Sequence, residues 1–353
     1  MSHLISDNVH VVENDQGAIN AAYQVADFAL EGRNERDQKR LLPFAEMDLF
    51  SAKGLGGIRI PQKFGGAFVS NKTLAHVFRI LNKADSSVGQ IPQNQIALLN
   101  MINIMGTEQQ KTFIFNEILQ GKRLANGGPE RHTKDTKTLN TTLTIENNRY
   151  FVDGEKFYST GSSFAHWLAI KAIHPEGHVV LTIINRQATG VEIIDNWNGF
   201  GQRTTSSGTV KLNQVEIDPF LIFDERLLSN TANYRGAYSQ LLQVAIDVGI
   251  AEAAFADTLT AVQKARPIVD AHVEKASFEH YTLQEVGKSN VLLDAAILLL
   301  DEAAEYLDEL DLLDEVTDEQ AAQASILVAE AKIYANDAAL HISEKLLELG
   351  GSR

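Results

Sequence analysis

Cysteine is absent from the 353 residues, which excludes disulfides, thiolate nucleophiles and zinc–thiolate centres. Proline is scarce, seven in all, and only Pro267 lies beyond Pro219, so little interrupts helix formation in the C-terminal third. Long apolar runs are missing too. The longest, Ala295 to Leu300, falls far short of the ~20 residues that cross a bilayer. The start of the chain, MSHLISDNVHVVEND, has no basic stretch leading into an apolar one, so no secretory leader is expected. Positive charge is in deficit, with 31 Lys and Arg against 46 Asp and Glu and a net of −15, which argues against nucleic acid or an anionic membrane as partner. A cytoplasmic protein is expected.

What is present is ordinary for a globular chain: 44% apolar, 22% charged and 7% aromatic residues, with length enough for two or three cores. Helical spacing runs from Ala18 to about Phe50, through Ala22, Val25, Phe28 and Ala29, with a break at Pro43 and a second helix predicted over Phe44 to Lys53. The string GLGGIRIPQKFGGAF follows, its Ile58-Arg59-Ile60 read as extended before Pro61. Its glycines follow no strand and precede no GK[ST], so a phosphate loop is not expected. Further helices are predicted over Thr73–Lys83 and Asn94–Met105.

Between Leu124 and Asp218 the period changes to alternation. Six strands are predicted: Leu143–Ile145, Tyr150–Tyr158, Leu168–Ile173, Val179–Asn185, Val191–Ile194 and Thr209–Ile217. His174 and His178 flank a turn and read as part of a solvated loop, so no metal site is expected. After Asp224 three long apolar seams follow, through Leu241 to Val262, Leu283 to Leu307 and Ala324 to Leu349, the pattern of a helical bundle. Asp301 to Glu319 carries ten acidic side chains and reads as a solvated connection. The domains expected are a helical 1–123, a β domain over 124–223 and a bundle over 224–353.

The chain is organised around Tyr150 to Trp167, YFVDGEKFYSTGSSFAHW. Asp153-Gly154 signals a type I′ turn between two alternating runs, and Ser159, Thr160, Gly161 and Ser162 crowd hydroxyls and mobile backbone amides beside aromatic rings. Such a loop can contact a flat ligand with a polar edge.

GEKFYSTG resembles the flavin-contacting strand of the acyl-CoA dehydrogenase superfamily, and GEKFYSTGSSFAHW is most similar to its flavin-dependent monooxygenase branch, the dibenzothiophene monooxygenase and sulfur-acquisition group. GL…IRIP…FGG upstream and GFGQRTTSSGT downstream resemble further family segments, so the resemblance covers roughly residues 18 to 353. It implies an α+β, mostly α fold: an N-terminal helical domain, a middle antiparallel β domain and a C-terminal four-helix-type bundle. It also implies an oxidoreductase using reduced FMN, with FAD as the alternative, supplied by a separate NAD(P)H-flavin reductase and acting with O2 on a small organosulfur or related heteroatom compound.

The same resemblance implies roles for single residues. Thr160 matches the flavin-facing hydroxyl, with Ser159 beside it and Tyr158 packing on the ring. Asn126 and Glu130 stand in the other flavin-edge segment, where Pro129 replaces a common hydroxyl residue. Arg266 matches a phosphate-reaching arginine. Arg203, in the segment that resembles the family's closing strands, is expected to bind a substrate or flavin anion, with a structural ion pair as its other role; Asn94 is expected to contact substrate. Gln95 stands where the branch commonly has a catalytic histidine, and an amide can hydrogen-bond but not titrate. A solvated position at a helix N-terminus is its alternative. The dehydrogenase's glutamate has no counterpart, since Ser239 or Gln240 occupies its early position and its late one falls at or past Gly350-Gly351. An acyl-CoA dehydrogenase and a degenerate scaffold remain as alternatives. A homotetramer, a dimer of dimers, is expected, with Ala331, Ala335 and Ala338 allowing close subunit packing. Relatives continue past the Gly-Gly-Ser-Arg string into a segment that closes the pocket, so weak flavin binding is the expectation for this chain.

Overall fold

Local signals set the helix starts. In the computed structural model, which describes residues 9–135, 138–230 and 232–351, Asn14 caps α1 (Asp15–Leu30) by accepting the Gly17 N–H at 2.9 Å. α2 (Arg33–Lys39) is short, and α3 (Phe44–Ala52) begins directly after Pro43. Ser70 caps α4 (Asn71–Ala84), Asp85 caps α5 (Ser86–Gln90), α6 (Gln93–Met105) follows Pro92, and a Thr107/Gln110 capping box opens α7 (Glu108–Leu119). α5 and α7 went unpredicted. The Ile58–Ile60 segment is not extended: it forms tight turns with all three residues buried, because Ile58 packs into the main helical cluster and Ile60 into the cluster of α6 and α7.

The eight strands among the described residues are β1 (Leu124–Gly127), β2 (Thr142–Glu146), β3 (Arg149–Lys156), β4 (Trp167–Ile173), β5 (Val179–Asn185), β6 (Val191–Ile194), β7 (Thr209–Ile217) and β8 (Ile222–Asp224). They form one sheet in the order β6-β7-β3-β2-β4-β5-β8, with β1 pairing β4. The sheet is mixed and not purely antiparallel as expected. β1 and β2 share one edge of β4 and both run parallel to it, β1 along its first half and β2 at Thr142–Ile173. β1 and β8 carry too few residues for a legible alternation.

The expected turn at Asp153-Gly154 is not a turn. β3 runs straight through it, and the type I′ corner lies at Asn147-Asn148, both at positive φ (52° and 62°), between β2 and β3. Gly154 instead sits in a bulge where the register against β7 slips between Val152 and Gly154. Its φ is +153°, and a Cβ there would lie 2.3 Å from Thr141 Oγ1, so only glycine fits.

α8 (Arg235–Lys264), α9 (His280–Asp311) and α10 (Asp318–Gly350) are the long C-terminal helices. Three, not four, come from this region; α4 packs against α8 and α9, and one apolar cluster runs through α1, α4, α8, α9 and α10. Ala331, Ala335 and Ala338 are buried in that cluster, so they serve packing inside the chain and not a subunit contact. No described helix is long and apolar enough to cross a membrane.

The acidic run also departs from expectation. Its first part is the end of α9, where Asp308 accepts from the Asn71 and Lys72 N–H groups at the start of α4. Asp311 accepts from Arg59 Nη2 at 2.6 Å, Asn71 Nδ2 at 2.8 Å and the Tyr234 hydroxyl. Helix N-termini and a buried guanidinium need anions, which puts these carboxylates inside.

Candidate flavin site

The segment after β3 folds against the segment before β7. Ser159 N–H donates to Gly208 O (3.2 Å) and Gly161 N–H to Thr205 O (3.0 Å), while Thr160 N–H donates to Tyr158 O (2.9 Å). The amides are therefore committed within the protein, not mobile as the glycine and serine content suggested. Three non-glycine residues of these segments hold left-handed backbone, Tyr158 (φ 55°), Gln202 (φ 47°) and Ser206 (φ 48°), a conformation that such residues keep only when their surroundings enforce it.

Hydroxyls from both segments meet in a buried network. Thr160 Oγ1 lies 2.8 Å from Ser207 Oγ, Ser207 Oγ lies 2.7 Å from Thr205 Oγ1, and Thr205 donates to Gln202 O at 3.1 Å. Proton counting fixes the polarity. A carbonyl can only accept, so the Thr205 proton points at Gln202 O; Ser207 then donates to Thr205, and Thr160 donates to Ser207. Thr160 is left with lone pairs to offer. Ser206 donates to Ser163 Oγ at 2.6 Å and Ser162 to Ser206 O at 3.3 Å. Ser159 Oγ is buried with no hydrogen-bond partner among the described residues, a cost of about 1–3 kcal/mol unless a ligand supplies one.

Tyr158 is half exposed, its ring edge-on to Phe157 at 4.7 Å and to Trp197 at 6.0 Å. β1 and the α5–α6 junction close the other side. A Cβ at Gly161 would meet Ile91 at 3.4 Å and Ala125 at 3.9 Å, and Gln202 Nε2 reaches Ser86 O at 3.3 Å. The structure thus gathers Tyr158, Ser159 and Thr160 with the 202–208 segment, the strand carrying Asn126 and the helix start carrying Asn94. Asn94 and Arg203 are half-buried, and Arg203 makes no ion pair with the described residues. Asn126 Oδ1 accepts the Gly128 N–H at 3.1 Å.

Three residues are placed otherwise. Gln95 is neither solvated nor free to act on a ligand: its Nε2 donates to Gly56 O and its Oε1 accepts from Leu124 N–H, each at 2.9 Å, so it ties α6 to β1. Glu130 is saturated. Its Oε1 accepts from Lys156 Nζ (2.7 Å), Thr141 N–H (3.0 Å) and Thr141 Oγ1 (2.7 Å), and its Oε2 from Asn140 N–H (2.7 Å). That leaves nothing for a flavin. Arg266 lies exposed on the connection between α8 and α9, with no hydrogen bond to the gathered residues.

The Lys156–Glu130 pair lies under the loop with both side chains essentially inaccessible. Burial pulls the Lys156 pKa down against the attraction of Glu130. Burial pushes Glu130 up, but its hydrogen bonds from Lys156, Asn140 and Thr141 outweigh it and the carboxyl ends below its ordinary range. Four donors on one carboxylate favour the ionised pair. Sequence reasoning missed this pair and the Thr205–Ser207 partners; Lys156 in GEKF and the hydroxyl run TTSS were the signals.

A cavity of about 580 Å³ lies elsewhere, between α6, the start of α8 and the α9–α10 turn, and includes Arg59, Leu99, Asn103, Tyr234, Tyr238 and Asp311. Tyr158, Ser159 and Thr160 do not line it. Tyr238 is fully buried, and its phenol is pushed up to about 12 by that burial.

The comparisons with known proteins agree with this architecture. Residues 20–122 match the family model "Acyl-CoA dehydrogenase, N-terminal domain", and residues 241–353 match "Acyl-CoA dehydrogenase, C-terminal domain". A dibenzothiophene monooxygenase of Mycolicibacterium goodii is 26% identical over 335 residues, covering 90% of this chain and 80% of that protein. SfnC of Pseudomonas putida, named a probable FMNH2-dependent monooxygenase, is 26% identical over 325 residues, covering 90% and 81%. The crystal structure of FMN-bound TdsC from Paenibacillus sp. A11-2 superposes with a TM-score of 0.90 at 25% identity, covering 95% of this chain and 87% of that one. With its helical blocks matched to both family models on either side of the β domain, the chain belongs to the acyl-CoA dehydrogenase family.

Proposed function

We propose that this protein is an FMN-dependent monooxygenase that inserts one oxygen atom into a small organosulfur or related heteroatom compound. The observation that carries this is the hydroxyl loop: a buried Ser159 Oγ with no partner among the described residues, beside a Thr160 whose proton is committed inward, with Tyr158 exposed next to them. Likeness to dibenzothiophene monooxygenase, SfnC and FMN-bound TdsC supports the choice of cofactor and of substrate class.

These residues fit a flavin. Ser159 Oγ has hydrogen-bonding capacity that none of the described residues uses, Thr160 Oγ1 presents lone pairs to an N–H, and the Tyr158 ring offers a face for an aromatic ligand. Reduced FMN, when bound, supplies the electrons for oxygen activation. The chain's own part is to hold, orient and keep water out. Ser207 and Thr205 lock the Thr160 rotor, and the ionised Lys156–Glu130 pair anchors the strand beneath. The Ser159 hydroxyl, which has no partner among the described residues, can donate to charge that develops beside it. Asn94 and Arg203 are the proposed substrate contacts, and Asn126 and Arg266 further flavin contacts, Arg266 toward a neighbouring copy.

Dehydrogenation needs a carboxylate base, and neither Ser239 nor Gln240 supplies one; Gln240 Oε1 instead accepts from Lys332 Nζ. A separate flavin reductase delivers the reduced flavin, in a cytoplasmic setting. A homotetramer built as two dimers is proposed because α9 and α10 expose Leu298, Ile326, Ile333, Leu340 and Leu347, each more than half accessible.

The test combines the protein with FMN, NADH, a flavin reductase and ¹⁸O₂ over a panel of thioethers and alkanesulfinates. Product carrying one ¹⁸O per turnover is expected. Acyl-CoA oxidation coupled to an artificial electron acceptor, or no oxygenated product across the panel, would refute the assignment.

A further inference from the structure

The β4–β5 hairpin carries a second cluster, at the end of β4 opposite the hydroxyl loop. Its corner reads His174-Pro175-Glu176-Gly177-His178. His174 N–H donates to His178 O at 2.8 Å and Gly177 N–H to His174 O at 2.7 Å, with Gly177 at φ +88°. That closure sets the two histidines opposite each other, with ring centroids 4.5 Å apart and planes tilted by 30°. Glu176 reaches back from the apex, its Oε2 3.9 Å from His174 Nδ1 and 3.8 Å from His178 Nδ1.

The imidazoles are not the solvated pair expected from sequence. Their side chains are only 20% and 14% accessible, so little rotamer freedom remains to be lost on binding. His178 Nδ1 is buried and has no hydrogen-bond partner among the described residues. His174 Nδ1 accepts the Glu176 N–H at 3.2 Å, a long bond that a stronger Lewis acid can replace. One ligand atom from each of the three residues lies within 4.8 Å of the others. Ligands on one zinc-sized ion, bound at ~2.0–2.2 Å, sit within about 4 Å of each other; Glu176 Oε2 already has that spacing to both Nδ1 atoms, so the small remaining closure is between the two imidazoles, whose ligand atoms lie within 4.8 Å. Asp224 and Arg226 of the neighbouring segment act electrostatically on the cluster and are paired with each other at 2.7 Å. Their charges largely cancel, and Glu176 supplies the negative charge a divalent ion needs.

We propose that His174, Glu176 and His178 form a binding site for a divalent first-row transition ion, with Zn²⁺ as its natural occupant. Two imidazoles and one carboxylate suit Zn²⁺, Ni²⁺ or Cu²⁺, whereas Ca²⁺ and Mg²⁺ demand oxygen ligands. The ion clamps the tip of the hairpin and stabilises the folded chain by mass action. It is separate from the flavin chemistry.

The test uses tag-free full-length protein stripped with a chelator and dialysed against Zn²⁺. Bound metal and the metal-dependent rise in Tm are measured, and Co²⁺ serves as a visible-absorbance probe. One tight Zn²⁺ per chain is expected, weakened roughly ten-fold or more by His174→Ala, His178→Ala or Glu176→Gln. Mg²⁺ should produce no shift. Glu176 is exposed at the turn, so its variant keeps the metal-free Tm even where a histidine variant perturbs packing. The proposal is overturned if Zn²⁺ binds the wild type no more tightly than the three variants, which would place binding on other histidines, or if no Zn²⁺ is retained at all.

Discussion

Thr160 should favour reduced over oxidised FMN, because the hydroxyl network dictates which way its proton points. Oxidised flavin presents N5 as an acceptor and reduced flavin presents it as an N–H donor. In the wild type, Thr160 donates to Ser207 and can only accept from a ligand. Turning its proton toward oxidised flavin would forfeit the Ser207 hydrogen bond, a net loss of about 0.5–1.5 kcal/mol. The ratio of Kd for oxidised FMN to Kd for reduced FMN should therefore exceed that of Thr160→Val by roughly two- to ten-fold. Ser207→Ala frees the Thr160 proton and should lower the ratio as well, by improving the oxidised complex. Both constants come from anaerobic titrations followed by flavin fluorescence and absorbance. An unchanged ratio in Thr160→Val, or a higher one in Ser207→Ala, would refute the polarity argument.

Glu130→Gln leaves Lys156 buried without its counterion and should cost about 3–5 kcal/mol in urea denaturation; a loss below about 1 kcal/mol would mean that the pair is hydrated. Gly154→Ala places a Cβ 2.3 Å from Thr141 Oγ1 at φ +153° and should destabilise by about 1–3 kcal/mol, so a neutral result would contradict the bulge. His166 accepts the Arg123 N–H at Nδ1, and its pKa is pulled down to about 4 by burial and by Arg123 and Lys122. Below its ordinary value of 6.5 the unfolded chain gains a proton that the folded one refuses until about pH 4, so stability falls across that window. His166→Asn retains an acceptor and should flatten this acid limb; parallel stability curves would exclude His166 as its source. Light scattering at micromolar concentration should return a tetramer, and a monomer would show that the exposed leucines and isoleucines of α9 and α10 are left to solvent.

Sequence alone determined what depends on period and local chemistry. The predicted spans of β5, β6 and β7 match the structure because alternation of apolar residues is a local signal. The long seams of α8, α9 and α10 follow from helical spacing uninterrupted by proline. The GEKFYSTG string marked the segment that carries the hydroxyl loop. Tertiary structure decided what depends on partners distant in the chain. Asp153-Gly154 has the residues of a turn, yet β7 pairs along both sides of it and makes it a bulge. Glu130 and Gln95 look like ligand-facing polar residues in sequence, yet each meets buried backbone or charge that must be satisfied first, and so each is consumed by the fold. Asp308 and Asp311 belong to an acidic run that composition assigns to solvent, until α4 and Arg59, some 240 residues upstream, bring positive ends to them. The direction of the Thr160 proton is the sharpest case, because it is set by a chain of hydroxyls ending at a carbonyl, and no spacing in the sequence encodes which end of that chain can only accept.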